Sequence, residues 1–162
     1  MKELLIIRSV SFQQLDLNLM EINKKFPDYK ISLLTHEHGV KLAEKYSLIN
    51  NIYVYPYKEA FKSGNEVNEL NDKLFDVLIT PVTNISGSGF LNVLDYSLSI
   101  KSKAYYMCNL ISDIEEYDKS RIKVKKILNN LYILISGILS LPLLVISLIY
   151  LPFKLKSLKI EE

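Results

Sequence analysis

The sequence predicts an α/β domain with a parallel sheet, followed by one helix that crosses a membrane. Two observations carry the first expectation. Short apolar runs recur over residues 1–109 with amphipathic segments between them, the alternation of βαβ units. Several of the runs end at Pro or at a charged residue, which gives strand lengths of four to seven residues. A third observation carries the helix: 19 of the 27 residues from Ile127 to Phe153 are apolar, and no charged side chain stands between Lys126 and Lys154.

Lys2–Arg8 (KELLIIR) is the first predicted strand. Gln13–Lys25 reads as a helix because Leu15, Leu19, Ile22 and Phe26 recur at helical spacing, and Pro27-Asp28 stops it. Lys30–Thr35 (KISLLT) is the second strand, with a helix expected over Glu37–Tyr46. Ile52–Tyr55 is the third strand, Glu66–Leu74 a helix, and Asp76–Thr80 (DVLIT) the fourth strand. Phe90–Ile100 reads as a helix and Ala104–Cys108 as the last strand. Residues 110–118 read as an acidic connector. Five parallel strands with right-handed crossovers give a Rossmann-like sheet of order 3-2-1-4-5. The expected organisation is a half domain over 1–109, a juxtamembrane connector over 110–126, a transmembrane helix over 127–153 and a charged tail over 154–162.

The net charge of +2 hides a partition. Residues 1–118 carry 12 basic against 16 acidic side chains, and residues 119–162 carry 8 against 2. An acidic α/β part has no electrostatic footprint for nucleic acid. Leu131–Phe153 spans about 34 Å as a helix, enough for a hydrocarbon core of about 30 Å. Tyr132 and Tyr150 fall where interfacial aromatic belts lie. Lys119, Arg121, Lys123, Lys125 and Lys126 precede the span and are expected on anionic headgroups, while Lys154, Lys156 and Lys159 follow it. Five basic residues before the span against three after favour the N-terminal flank inside. Pro142, near the middle, favours a kink, and a re-entrant hairpin is the alternative to a single span. The apolar run Leu4–Ile7 is too short for a signal peptide, so the α/β part is expected to face the cytoplasm from the cell membrane. There the sequon Asn84-Ile85-Ser86 stays unglycosylated and the single cysteine, Cys108, stays reduced.

In a sheet of this order the loops leaving the first and fourth strands diverge and open a crevice. The first carries Arg8, Ser9 and Ser11, and the other carries Asn84, Ser86, Gly87, Ser88 and Gly89. Glycines allow close backbone approach and free amides before a helix attract phosphate, with Arg8 as the matching charge. A plain loop with Ser88 as helix cap is the other reading. No GxGxxG fingerprint or P-loop is present, and no cofactor is expected. His36-Glu37-His38 has no third metal ligand of obvious type, so no metal site is expected. Asp16, Glu21 and Asp95 read as solvated helix positions more readily than as catalytic bases, and Cys108 as a buried small hydrophobe.

The order LLIIR, NKKFPDYKISLLT, LINNIYVYP and FDVLITP, over residues 3–108, resembles the N-terminal half of heptosyltransferase-like glycosyltransferases, which have the two-domain GT-B fold. The resemblance implies a role in cell-envelope glycan biosynthesis at the cytoplasmic membrane surface. In that family the turn after the first strand carries a Gly-Asp pair whose aspartate is catalytic. Here the turn reads Ser9-Val10-Ser11-Phe12-Gln13-Gln14, so the catalytic residue has no counterpart. The implied protein is an anchored half that presents or binds a pyrophosphate-linked acceptor, with membrane lipids, a lipid-linked glycan acceptor and a separate donor-binding subunit as partners. The alternative is a non-catalytic membrane-anchored scaffold or regulatory module that recruits envelope glycan enzymes.

Overall fold

The structure, a computed structural model, describes residues 2–158. Met1 and residues 159–162, with Lys159 and the end of the expected tail, lie outside the described residues. The chain divides into two compact units, residues 1–122 and residues 123–162.

The first unit is built on a sheet of order β3-β2-β1-β4-β5-β6. Its strands are β1 (Lys2–Ile7), β2 (Tyr29–His36), β3 (Ile49–Tyr55), β4 (Phe75–Pro81), β5 (Ser102–Cys108) and β6 (Ile114–Glu116). The first five pair in parallel, and their order is the one expected from the sequence. The sixth corrects it: β6 pairs antiparallel to β5, so the sheet has six strands and is mixed. This strand lies inside the expected connector. A tight turn makes it, with Asn109 Oδ1 accepting from the amides of Ile111 (3.1 Å) and Asp113 (2.9 Å) and Ser112 in the left-handed region at φ 62°.

Alternation along β1 sends its side chains to two cores. Leu4 and Ile6 share one with Leu15, Leu19 and Ile22 of α1 (Phe12–Lys25) and Ala43 of α2 (Val40–Ala43). Leu5 and Ile7 share the other with Val93 and Tyr96 of α3 (Leu91–Ser97) and with Phe61, Val67 and Leu70 of the β3–β4 connection. Helices on both faces make the sheet doubly wound and Rossmann-like. All four β1 aliphatics are fully buried, and each contributes about 1.5–3 kcal/mol.

The helices between the later strands are shorter than expected. The segment after β2 is a single 3-10 turn, Glu37–Gly39, running into α2, and Glu66–Leu74 contains only a 3-10 turn at Asn68–Leu70. The β3–β4 connection buries three apolar residues as anchors of a loop, which a helix is not needed to do. A third cluster joins Val82, Leu94, Met107, Tyr117 and Ile122, the last residue of the first unit. The Tyr117 hydroxyl sits at 2.6 Å from Ser97 Oγ and 3.4 Å from Thr80 Oγ1 within it.

The helix α4 runs from Lys119 to Leu158. Its start is capped by Asp118, whose Oδ1 accepts from the Arg121 amide at 2.7 Å. The basic run Lys119–Lys126 is therefore helical, and the helix continues through Pro142 and Pro152 without the break that a hairpin needs. In the second unit every apolar side chain from Ile127 to Leu151 is exposed. The hydroxyls of Ser136, Ser140 and Ser147 donate to carbonyls three residues back, at 3.0, 2.9 and 2.8 Å. Among the described residues, α4 is the one helix long and apolar enough, by length and composition, to cross a membrane.

Candidate functional site

A pocket of about 390 Å³ opens at the carboxyl ends of the parallel strands. Arg8, Ser9 and Val10 enter it from the end of β1, His36 and His38 from β2, Phe61 from the segment after β3, and Phe90 and Asn92 from the loop and helix after β4. This is the crevice that the strand order places between β1 and β4. Further cavities lie elsewhere, one lined by Tyr96, Lys101 and residues 64–67, another by Val54, Tyr57 and residues 66–69, and another by Glu21, Lys24, Lys25 and residues 112–114. None of these gathers residues from more than one parallel strand's carboxyl end.

Arg8 is the centre of the pocket's charge. Its amide continues the ladder by donating to Leu34 O at 2.9 Å. The guanidinium Nε donates to Thr35 Oγ1 at 2.7 Å and Nη1 to Val10 O at 3.0 Å, while Nη2 lies 3.4 Å from His38 Nε2. The guanidinium also lies over the Phe12 ring, its carbon 4.7 Å from the centroid. Burial alone lowers its pKa, yet a guanidinium stays charged at any ordinary pH. This half-buried cation with five donors is held by the neutral acceptors Thr35 Oγ1 and Val10 O, and among the described residues it forms no ion pair with a carboxylate. Among the described residues that line the pocket there is no carboxylate.

The two histidines share that environment. His36 stacks on His38 with ring centroids 5.5 Å apart, lies 4.8 Å from the Phe61 ring, and places Nε2 3.1 Å from Glu59 O. Gly39 makes the approach of Arg8 to Thr35 sterically feasible. A Cβ there would stand 2.4 Å from Thr35 Oγ1 and 3.2 Å from Arg8 Nη2.

The residues expected from the sequence divide. Arg8, Ser9 and Gly89 line the pocket. Ser9 Oγ donates to Pro81 O and ties the end of β1 to the end of β4. Ser11 instead caps α1, accepting from the Gln14 amide at 3.3 Å. Asn84 Oδ1 accepts from the Gly87 amide at 2.7 Å and its Nδ2 donates to Ser88 O, while Ser86 Oγ accepts from the Ser88 amide at 3.3 Å. The loop uses these amides on itself. Gly87 has φ 72° and packs where a Cβ would meet Met107 Sδ at 2.7 Å, so its glycine is needed for shape. Ser88 is not the cap of α3, which begins after Phe90 with no side-chain cap.

Of the other candidates, Asp16 accepts from the Tyr46 hydroxyl, and Glu21 pairs with Lys24 at 3.5 Å, both on the exposed side of α1. Asp95 lies on α3 outside the pocket lining. Cys108 is fully buried, accepts from Asn18 Nδ2 at 2.8 Å, and burial pushes its thiol up to about 11. Lys119, Arg121, Lys123, Lys125 and Lys126 fall in the first turns of α4, and Arg121 lies 3.8 Å from Glu115. Among the described residues no three His, Cys, Asp or Glu side chains are grouped to hold a metal. The pocket residues that the sequence did not place at the crevice include His36, His38, Phe61 and Phe90, with Gly39 packed against Arg8 and Thr35. The signal for the histidines was present, two imidazoles just past a strand on the crevice side.

No family model, curated protein or solved structure matches the chain.

Two outcomes follow. Gly39→Ala forces Thr35 and Arg8 apart and should cost about 1–3 kcal/mol, read as a lowered denaturant midpoint of the full chain. Cys108 stays protonated in the folded state above its ordinary value of 9.0. The stability this contributes is complete below pH 9.0 and is lost as pH rises toward about 11. Replacing it by Ala should flatten the fall of unfolding free energy across that window, measured by denaturation at stepped pH.

Proposed function

We propose that the chain is a membrane-anchored glycosyltransferase-like half domain in cell-envelope glycan biosynthesis. It holds the pyrophosphate of a lipid-linked acceptor, while a separate subunit binds the sugar donor. The observation that carries this reading is the pocket itself: Arg8 and two imidazoles at the carboxyl ends of the strands, with no carboxylate among the residues lining it. A rigid, half-desolvated guanidinium beside imidazoles attracts phosphate oxygens, and an arginine fork binds them in pairs.

The anchor is supported by α4. Its exposed aliphatic surface far exceeds what a water-soluble monomer tolerates, and its serines satisfy their hydroxyls within the helix, as a hydrocarbon environment demands. We read it as a single pass of the cell membrane with the α/β unit on the cytoplasmic side, on the greater number of basic residues before the span. Lys119, Arg121, Lys123, Lys125 and Lys126 then meet anionic headgroups.

One observation favours a second reading, a non-catalytic scaffold that recruits envelope glycan enzymes. The turn after β1 carries no Gly-Asp pair, and no carboxylate lines the pocket to take the place of that aspartate.

Isothermal titration of the full chain in micelles with inorganic pyrophosphate separates the two. Loss of a charge-assisted fork is worth about 1.5–3 kcal/mol, so Arg8→Ala should weaken binding roughly tenfold or more. Arg8→Lys, which keeps the charge and loses the fork, should also weaken it, and Arg121→Ala should leave it unchanged. No measurable binding by the unaltered chain would favour the scaffold.

A further inference from the structure

The loops that follow β4 and β5 carry Ile85, Leu110 and Ile111, which are 65%, 46% and 70% exposed. Single exposed aliphatics are ordinary, but these three occupy neighbouring loops joined by the Leu110 amide donating to Asn84 O at 3.4 Å. The fold holds them there. Gln14 Nε2 donates to Leu110 O at 3.0 Å, Asn109 Oδ1 accepts from the Ile111 amide at 3.1 Å, and the turn requires Ser112 at a positive φ. Asn18, fully buried, braces the same turn through Asn109 O at 3.2 Å and Ser112 Oγ at 3.3 Å. Such bracing of exposed side chains calls for an apolar surface that receives them.

The chain indicates which surface. Ile122, the last residue of the first unit, shares its cluster with Val82 and Met107, which lie at the carboxyl ends of β4 and β5. The first unit therefore ends in a cluster that includes residues from the carboxyl ends of β4 and β5, the strands whose following loops carry Ile85, Leu110 and Ile111, and the chain continues into residues long and apolar enough to cross a bilayer.

We propose that Ile85, Leu110 and Ile111 form a membrane-docking tip that inserts into the interfacial region of an anionic bilayer. The inference rests on the membrane anchoring proposed above and deepens it. The Arg8 pocket opens at the same end of the sheet, so docking presents it to phosphate carried on a lipid.

The chain has no tryptophan, so an introduced one is a site-specific reporter. Ile111→Trp and Ile85→Trp report on the tip. Leu74→Trp is the reference, at a residue 58% exposed that precedes β4 at the opposite end of the sheet. Each full chain is reconstituted into phosphatidylcholine and phosphatidylglycerol vesicles, with and without bromine on the upper acyl chain. Residues inserted about 5–10 Å into the interface lie within reach of that quencher, so Trp at 111 and 85 should lose roughly half its emission and Trp at 74 almost none. Unchanged emission at 111 and 85 in a chain that floats with the vesicles overturns the tip, as does equal quenching at 74. A chain that fails to float overturns both the tip and the anchor. Pyrophosphate binding that depends on Arg8, measured in micelles, is independent of all three outcomes, so loss of the tip and loss of the pocket reading are told apart.

Discussion

β1 pairs with β2 along one edge and with β4 along the other, so the chain leaving Ile7 emerges between connections that depart in opposite directions. That constraint determines what the first unit can do. A strand in this position must be apolar on both faces, and Leu4, Leu5, Ile6 and Ile7 are fully buried between two cores. Neither neighbouring loop can close over its end, because one belongs to the α1 side and the other to the α3 side. Arg8 is the first residue past the buried run. It cannot return into the core, and Thr35 of β2 and Val10 O hold it at the mouth of the gap. Gly39 is small because that guanidinium must pass, and Ser9 fastens the gap's far wall through Pro81 O.

The second unit has a different surface from the first. A helix with exposed aliphatics on every side has no preferred face to bury against protein, and by length and composition it could cross a membrane. Its three serines donate back to their own helix, so they carry no unmet hydrogen bond into that environment. The net charge of +2 is the sum of an acidic α/β part and a basic helix with its flanks. Under the proposed function, the helix supplies residence at the membrane and the pocket supplies the binding of phosphate.

The strands and their order were legible because burial on both faces leaves continuous apolar runs, and right-handed crossovers leave few ways to arrange them. The sixth strand was not. Ile114–Glu116 is three residues long and places two carboxylates on an edge, so it has neither the length nor the pattern of a strand; a side-chain turn built by Asn109 and Asn18 forms it. The short helices failed for a similar reason, since Phe61, Val67 and Leu70 at irregular spacing anchor a loop as well as a helix would. Of the site, Arg8 was readable from its place after the first strand. In the Asn84–Gly89 loop, read as a phosphate cradle, the amides of Gly87 and Ser88 turn inward on Asn84 and Ser86, which composition cannot reveal. His36 and His38 were weighed as metal ligands because their spacing is visible in one dimension, whereas their proximity to Arg8 is visible only in three.

The claim on which the account depends is that anions are bound in the gap past β1. The direct test is heteronuclear NMR of the isotopically labelled full chain in micelles, titrated with inorganic pyrophosphate. The account predicts the largest shifts at the Arg8 Nε–H signal and at the amides and rings of His36, His38 and Phe90, with the cavity lined by Tyr96 and Lys101 unaffected. Shifts confined to that other cavity or to the basic turns of α4, with Arg8 silent, would contradict it.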